Sequence, residues 1–361
     1  MPLLRRRQCL QLGCAWALAA PAWAAAPVSG RGSLQLWAGH AQQHGDADGR
    51  GGVARFFDPR GLARDPRSGD ILVADAANAL VRRVSPDALV ERVAGVPLLR
   101  RTVEGPAAQA GFVGPDAVAA APDGTLYVSD SYANTLRVLR GGRVALLAGS
   151  DQRPGYADGQ GAAARFNHPV GIAFDARRQL LLVADAYNHT VRAVNRGGRV
   201  RTLCGTPGVS AHRDGALAQA LFNTPVGIAV DARGNIYVSE YFNHDIRRIT
   251  PDGQVQTVVG RPGRAGDVDG DTRQARLRRP QQIAIDARGR LLIADSGNDK
   301  LRRFGDDGLL RTLAGRAGAQ LPAPGPLPAA LGTPYGVAVG PRGGIVVSSG
   351  QALWLVQPAE P

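Results

Sequence analysis

The chain has 361 residues, 44% of them hydrophobic, enough for a buried core and long enough for two ordinary domains. Its formal charge is +13, nearly all from arginine, with Lys300 the only lysine. The arginines are spread along the chain rather than clustered, which argues against a nucleic-acid-binding patch.

The first predicted element is a targeting segment over residues 1–26. Arg5-Arg6-Arg7 precedes an apolar stretch from Cys9 to Ala20, and Ala22-Trp23-Ala24 offers a small-x-small cleavage site. That stretch is too short to span a bilayer permanently, so no transmembrane segment is expected. Arg6-Arg7-Gln8-Cys9-Leu10 resembles a twin-arginine export signal, with Cys9 where phenylalanine is usual. The mature protein, residues 27–361, is expected to be periplasmic or secreted, a monomer, and a single domain. Cleavage takes the charge to +10 and leaves Cys204 as the sole cysteine, so no intrachain disulfide can form. Cys204 fills the alanine slot of a recurring Ala-Gly pair (Ala94-Gly95, Ala148-Gly149, Ala314-Gly315) and reads as a small buried hydrophobe.

Beyond the targeting segment one unit recurs six times, starting at Pro59, Pro115, Pro169, Pro225, Pro280 and Pro334. Asp75, Asp130, Asp185, Glu240 and Asp295 lie 55 residues apart, as do Arg82, Arg137, Arg192, Arg247 and Arg302. A fixed period of this length means one supersecondary unit repeated. The fourth copy shows its content: strands at 225–231, 236–240, 246–249 and 255–259, separated by Ala232-Arg-Gly-Asn235, Tyr241-Phe-Asn-His244 and Pro251-Asp-Gly253. Four short strands six times over predict an all-β, six-bladed β-propeller. The sixth copy has only three strands, and Ser33-Leu-Gln-Leu-Trp-Ala-Gly39 matches the missing fourth. The N-terminal strand is therefore expected to complete the last blade as its outermost strand, closing the ring.

The run from Pro225 to Ile249 resembles an NHL repeat, as does Asp185-Ala-Tyr-Asn-His-Thr-Val-Arg192. The likeness extends over residues 33–356 and is to the longer bacterial variant, whose loops run Ala-Gly…Asp-Gly…Ala-Arg-Phe-Asn-x-Pro. Those loops carry Asp48-Gly49, Asp158-Gly159, Asp214-Gly215 and Asp269-Gly270; Glu104-Gly105 is an imperfect copy and Pro324-Gly325 lacks the acid. The resemblance implies an exported propeller that binds a partner. Some propellers resembling NHL proteins are lyases with metal ligands around the channel mouth, so a metal-dependent enzyme of lyase or lactonase type is the alternative. Nucleic-acid binding, as in some intracellular NHL proteins, is disfavoured by the targeting segment.

A catalytic group is needed once or twice, so acids and arginines present in five copies read as scaffold ion pairs. Phe56, Phe112, Phe166, Phe222, Leu277 and Leu331, each three residues before the repeat proline, read as loop plugs, and Asn78, Asn188, Asn243 and Asn298 as turn-formers. Asp267, Asp269 and Asp271 alternate as calcium ligands do, yet Arg278 stands where a closing glutamate is needed.

Function is sought where the copies differ and loops gather. The residue after each repeat proline is expected at the mouth of the central channel: Arg60, Asp116, Val170, Val226, Gln281 and Tyr335. The turns between second and third strands add Tyr132, Tyr187 and Phe242, an aromatic run over three adjacent blades suited to a carbohydrate or peptide. Ligand contact is assigned to Arg60, Asp116, Tyr132, Tyr187, Phe242, Gln281 and Tyr335. All six histidines fall on this face, but His189 and His244 sit at the Asn-His position of the repeat itself, no zinc set is read from them, and no catalytic triad can be assembled. Neither zinc, calcium nor another cofactor is expected; the partner is an unnamed protein, peptide or carbohydrate.

Overall fold

The computed structural model describes residues 32–359 as a closed ring of six antiparallel sheets around a central channel. The predicted targeting segment lies outside the described residues. Blade one is built from Pro59–Arg64, Ile71–Asp75, Leu80–Val84 and Leu89–Ala94, from the axis outward, and blades two to five repeat it. First strands sit beside one another all round the ring. Among the described residues no helix is long and apolar enough to cross a membrane.

Blade six consists of Pro334–Val339, Ile345–Ser349 and Ala352–Gln357, with Ser33–Gly39 paired against the last of these. The N-terminal strand thus closes the ring as expected, with one correction: it is not outermost. Gly325–Pro326 pairs on its outer side. Every blade has such a two-residue fifth strand, drawn from the Asp-Gly loop that precedes it; Gly159–Gln160 and Gly215–Ala216 are the copies in blades three and four. Only two residues pair in each, too few to leave a period-two pattern in the sequence.

Six apolar clusters lie between neighbouring blades, one at each junction. The six plugs Phe56, Phe112, Phe166, Phe222, Leu277 and Leu331 are all fully buried in them. Cys204 is free and buried, and burial pushes its thiol well up, out of reactive range. Near the axis the blades approach closely: a Cβ on Gly171 would come within 2.2 Å of the Val226 carbonyl. Gln282, which takes that glycine's place in blade five, turns its amide into the channel. There its Oε1 accepts from Leu62 N and Val337 N at 2.9 and 3.0 Å, and its Nε2 donates to Leu62 O at 2.6 Å. One side chain so bridges blades five, six and one.

Candidate functional site

The repeated arginines form the ion clusters the spacing predicts. The register between third and fourth strands slips just before Arg82, Arg137, Arg192, Arg247 and Arg302, a bulge that re-aims the side chain. In blade three, Arg192 donates to Asp185 Oδ2 and to Asp158 Oδ1, both at 2.6 Å, and its guanidinium lies 5.1 Å from the Phe166 ring centroid. Asp185 also accepts from Asn167 N and Asn188 Nδ2 at 2.8 Å each, and Asn188 donates onward to Gly155 O. The loop acid, the plug and the asparagine are therefore one device that staples the long loop to its blade. Burial pushes the Asp75, Asp130, Asp185 and Asp295 carboxyls up to about 6, against the pull of these donors.

Two blades depart from this pattern. In blade two, Asp130 accepts from Val113 N and Gly114 N, while Arg137 reaches only Glu104 at 3.7 Å and keeps Nε and Nη2 without a partner. Blade six has Trp354 in the arginine position, Ser349 in the acid position and Pro324 in the loop, so all three charged members are replaced together.

The connecting loops and the second-to-third-strand turns do share one face. In four blades the residue that closes the turn reaches the residue before the next blade's proline. Asn134 Oδ1 accepts from His168 N, His189 Nδ1 from Thr224 N, and His244 Nδ1 from Arg279 N, at 2.9 to 3.2 Å. Gln351 Oε1 accepts from Asp58 N across the closure seam. These side chains latch blade to blade.

At the channel mouth, Arg60, Asp116 and Tyr335 are one network rather than three free side chains. Arg60 donates to Asp116 Oδ2 at 2.8 Å and to Asp58 Oδ2 at 2.9 Å; Ser131 Oγ and Tyr335 Oη also donate to Asp116. Asp116 is 1% exposed, so these mouth residues also tie the first strands together. Burial, with the Asp116 charge beside it, pushes the Tyr335 phenol well up, so it stays a donor. The other half of the mouth is apolar, with Val170 and Val226 packed against Tyr241.

Tyr132, Tyr187 and Phe242 are each about half exposed. His168 joins the first two: its ring stacks on Tyr187 at 4.7 Å and meets Tyr132 edge-on at 5.3 Å. Arg60 reaches Tyr132 from the other side, 5.7 Å from its centroid, so the mouth network and the aromatic comb are continuous. Gln281 lies apart from the comb, in a cleft of about 620 Å³ between blades five, six and one. Asp58, Arg279, Asp299, Tyr335 and Gln351 line it too. The cleft was not legible, because its lining comes from six non-adjacent stretches.

The mouth does not fit an axial cation. Asp116 already accepts from Arg60, Ser131 and Tyr335, Asp58 is paired with Arg60, and the neighbouring positions are Val170, Val226 and Gln281. Asp267 and Asp269 are likewise engaged, with Lys300 and Arg302.

A closed propeller with an aromatic and polar upper face is the class these features define. The NHL repeat family matches at residues 166–194, within blade three. NHL repeat-containing protein 2 of Gallus gallus is 36% identical over 152 residues, covering 38% of this chain; the chain spans about a fifth of that relative's length. A structural genomics protein of unknown function from Bacteroides thetaiotaomicron superposes with a TM-score of 0.69, 20% identity and coverage of 90% and 76% of the two chains. A gluconolactonase of Xanthomonas campestris gives 0.56, 14% identity and coverage of 90% and 99%. Both structural likenesses show the fold alone.

Proposed function

We propose that the chain is an NHL-type propeller over residues 33–356 and acts outside the cytoplasm as a binding protein, holding a carbohydrate or peptide on its upper face. The observation that carries this reading is the comb Tyr132–His168–Tyr187, continuous with the Arg60–Asp116–Tyr335 network and opening towards the cleft at Gln281. Flat rings on a rigid latch suit sugar faces or peptide side chains, and the cleft volume lies within the usual range of ligand pockets. Arg278, Arg279, Asp58 and Asp299 give the cleft both signs of charge, which suits a polar ligand. Phe242 extends the aromatic surface onto blade four.

The competing reading is a lactonase. The purified protein, incubated with an aldonolactone, is expected to release acid no faster than buffer; chelator-sensitive turnover would overturn the binding reading. A positive test is retention on a panel of acidic and neutral oligosaccharides and peptides, expected to weaken at least about tenfold in Tyr187→Ala. Export rests on residues 1–26: mass spectrometry of the native protein is expected to find a start near Ala25 or Pro27, and intact Met1 in a cytoplasmic pool contradicts it.

A further inference from the structure

We propose that His212, Asp245 and Glu240 in blade four form a site for a divalent transition ion of the zinc type, independent of the upper-face reading. Their ligating atoms all lie within 4.8 Å of one another. His212 comes from the loop before the blade, Glu240 ends its second strand, and Asp245 begins its third.

The repeats supply the reference. Opposite the ring acid, the other blades carry Leu80, Thr135, Thr190 and Lys300 where blade four has Asp245. Two residues before the loop acid they carry Asp46, Thr102, Tyr156 and Asp267 where blade four has His212. The ring acid itself is glutamate here and aspartate elsewhere. Three departures in one blade converge on one point. Blade five shows what the positions do without an ion: Asp267 and Lys300 pair at 2.6 Å.

Blade four has no such closure. Asp245 is fully buried, and neither carboxylate oxygen has a hydrogen-bond partner. A buried carboxylate needs a compensating charge or donors. Glu240 Oε1 is filled by Asn223 N and Asn243 Nδ2, but Oε2 accepts only from Arg247, leaving a lone pair. His212 Nε2 stands 3.5 Å from Asp245 Oδ2, too far for a hydrogen bond. Two ligands about 2.1 Å from a tetrahedral ion are separated by roughly 3.4 Å, so this gap is the edge of a coordination tetrahedron. His212 Nε2 is also 2.8 Å from Thr257 Oγ1; on ion capture that hydroxyl can turn to Asp214 Oδ1, 3.3 Å away. With His212 neutral and both buried carboxyls ionised, as ligands must be, Glu240, Asp245 and Asp214 outnumber Arg247 by two charges, which a divalent ion balances. One imidazole with two carboxylates suits a borderline ion better than calcium. His212 is partly exposed, so an ion and a fourth, water ligand have a way in.

The test uses the full chain after chelator treatment and dialysis. One zinc per chain is expected by elemental analysis, with a melting temperature that rises with free zinc and ignores the same concentration of calcium. Cobalt is expected to give a visible absorption band of a tetrahedral site. The double variant His212→Asp/Asp245→Lys copies the blade-five pair; it is expected to fold and to lose the zinc-dependent rise and the cobalt band. His212→Gln, a change in a loop, is expected to weaken zinc uptake at least about tenfold and provides the test if the double variant fails to fold. No stoichiometric zinc in the parent, or zinc uptake undiminished in these variants, overturns the assignment.

Discussion

Arg192 and Arg60 each hold an aspartate, and the two pairs teach opposite lessons. Arg192–Asp185 lies within one blade, fully buried, and recurs with the same bulge, plug and asparagine in three other blades. Arg60–Asp116 joins blades one and two at the axis, occurs once, and keeps Arg60 18% exposed beneath two tyrosine rings. The chemistry of the pair is the same. Repetition and burial mark the first as scaffold; singularity and an opening to solvent mark the second as part of a site.

The largest expected effect lies outside both pairs. Deleting residues 33–38 removes buried Leu34 and Trp37 and bares the edge of Ala352–Gln357. Each side chain contributes roughly 1.5–3 kcal/mol by burial, and an unpaired edge invites association. Aggregation, or a melting-temperature loss beyond that of any point variant here, is expected in a thermal melt with light scattering.

Next is Arg192→Met, which strands Asp185 and Asp158 and should cost about 3–5 kcal/mol in a denaturant melt. Arg137→Met sharpens the comparison. Asp130 keeps its backbone donors and Arg137 has little to lose, so the cost should stay below about 1 kcal/mol. Equal losses would mean that the blade-three cluster adds nothing beyond packing.

Asp116→Asn keeps the shape of the mouth but removes the charge under Arg60. Since Arg60 retains Asp58 and access to water, the loss should be about 1–3 kcal/mol, smaller than for Arg192→Met. Ligand binding, followed on the same sample, should fall more than stability does.

The smallest effect is pH-dependent. Burial holds the His168 pKa below its ordinary 6.5, so the unfolded chain takes the proton more readily. The stability this residue contributes is present above pH 6.5 and is lost as pH falls below it. The buried aspartates, raised to about 6, act in the other direction between their ordinary 3.8 and 6. The comparison is therefore between parent and His168→Phe melts at pH 7.5 and 5.5: the gap should shift in favour of the variant at the lower pH.

Much of the fold could be read from period alone. The 55-residue spacing gives blade number, strand content and the closing strand, and the plugs at Phe56 to Leu331 are where repetition places them. What escaped depends on contacts between copies. Asn134, His189 and His244 look like turn residues, and nothing local says that each accepts from the next blade. The Arg60–Asp116–Tyr335 network joins first strands of three blades, so the mouth residues could be named but not their burial. His212 and Asp245 are 33 residues apart, and their meeting depends on how the Asp-Gly loop returns along the outside of its own blade. Trp354 stands where five copies carry arginine, and the matching loss of acid at Ser349 and Pro324 gives that exchange its meaning.

Asp185 and Tyr187 sit two residues apart in one turn and provide the most direct test of the account. Side-by-side melts of Asp185→Ala and Tyr187→Ala compare scaffold and site at constant location. Losing the buried acid should lower the melting temperature by roughly 5–15 °C, while removing the half-exposed ring should change it by no more than about 2 °C. An Asp185→Ala protein that melts with the parent but has lost its ligand or its turnover would contradict the account and place chemistry where scaffold is assigned.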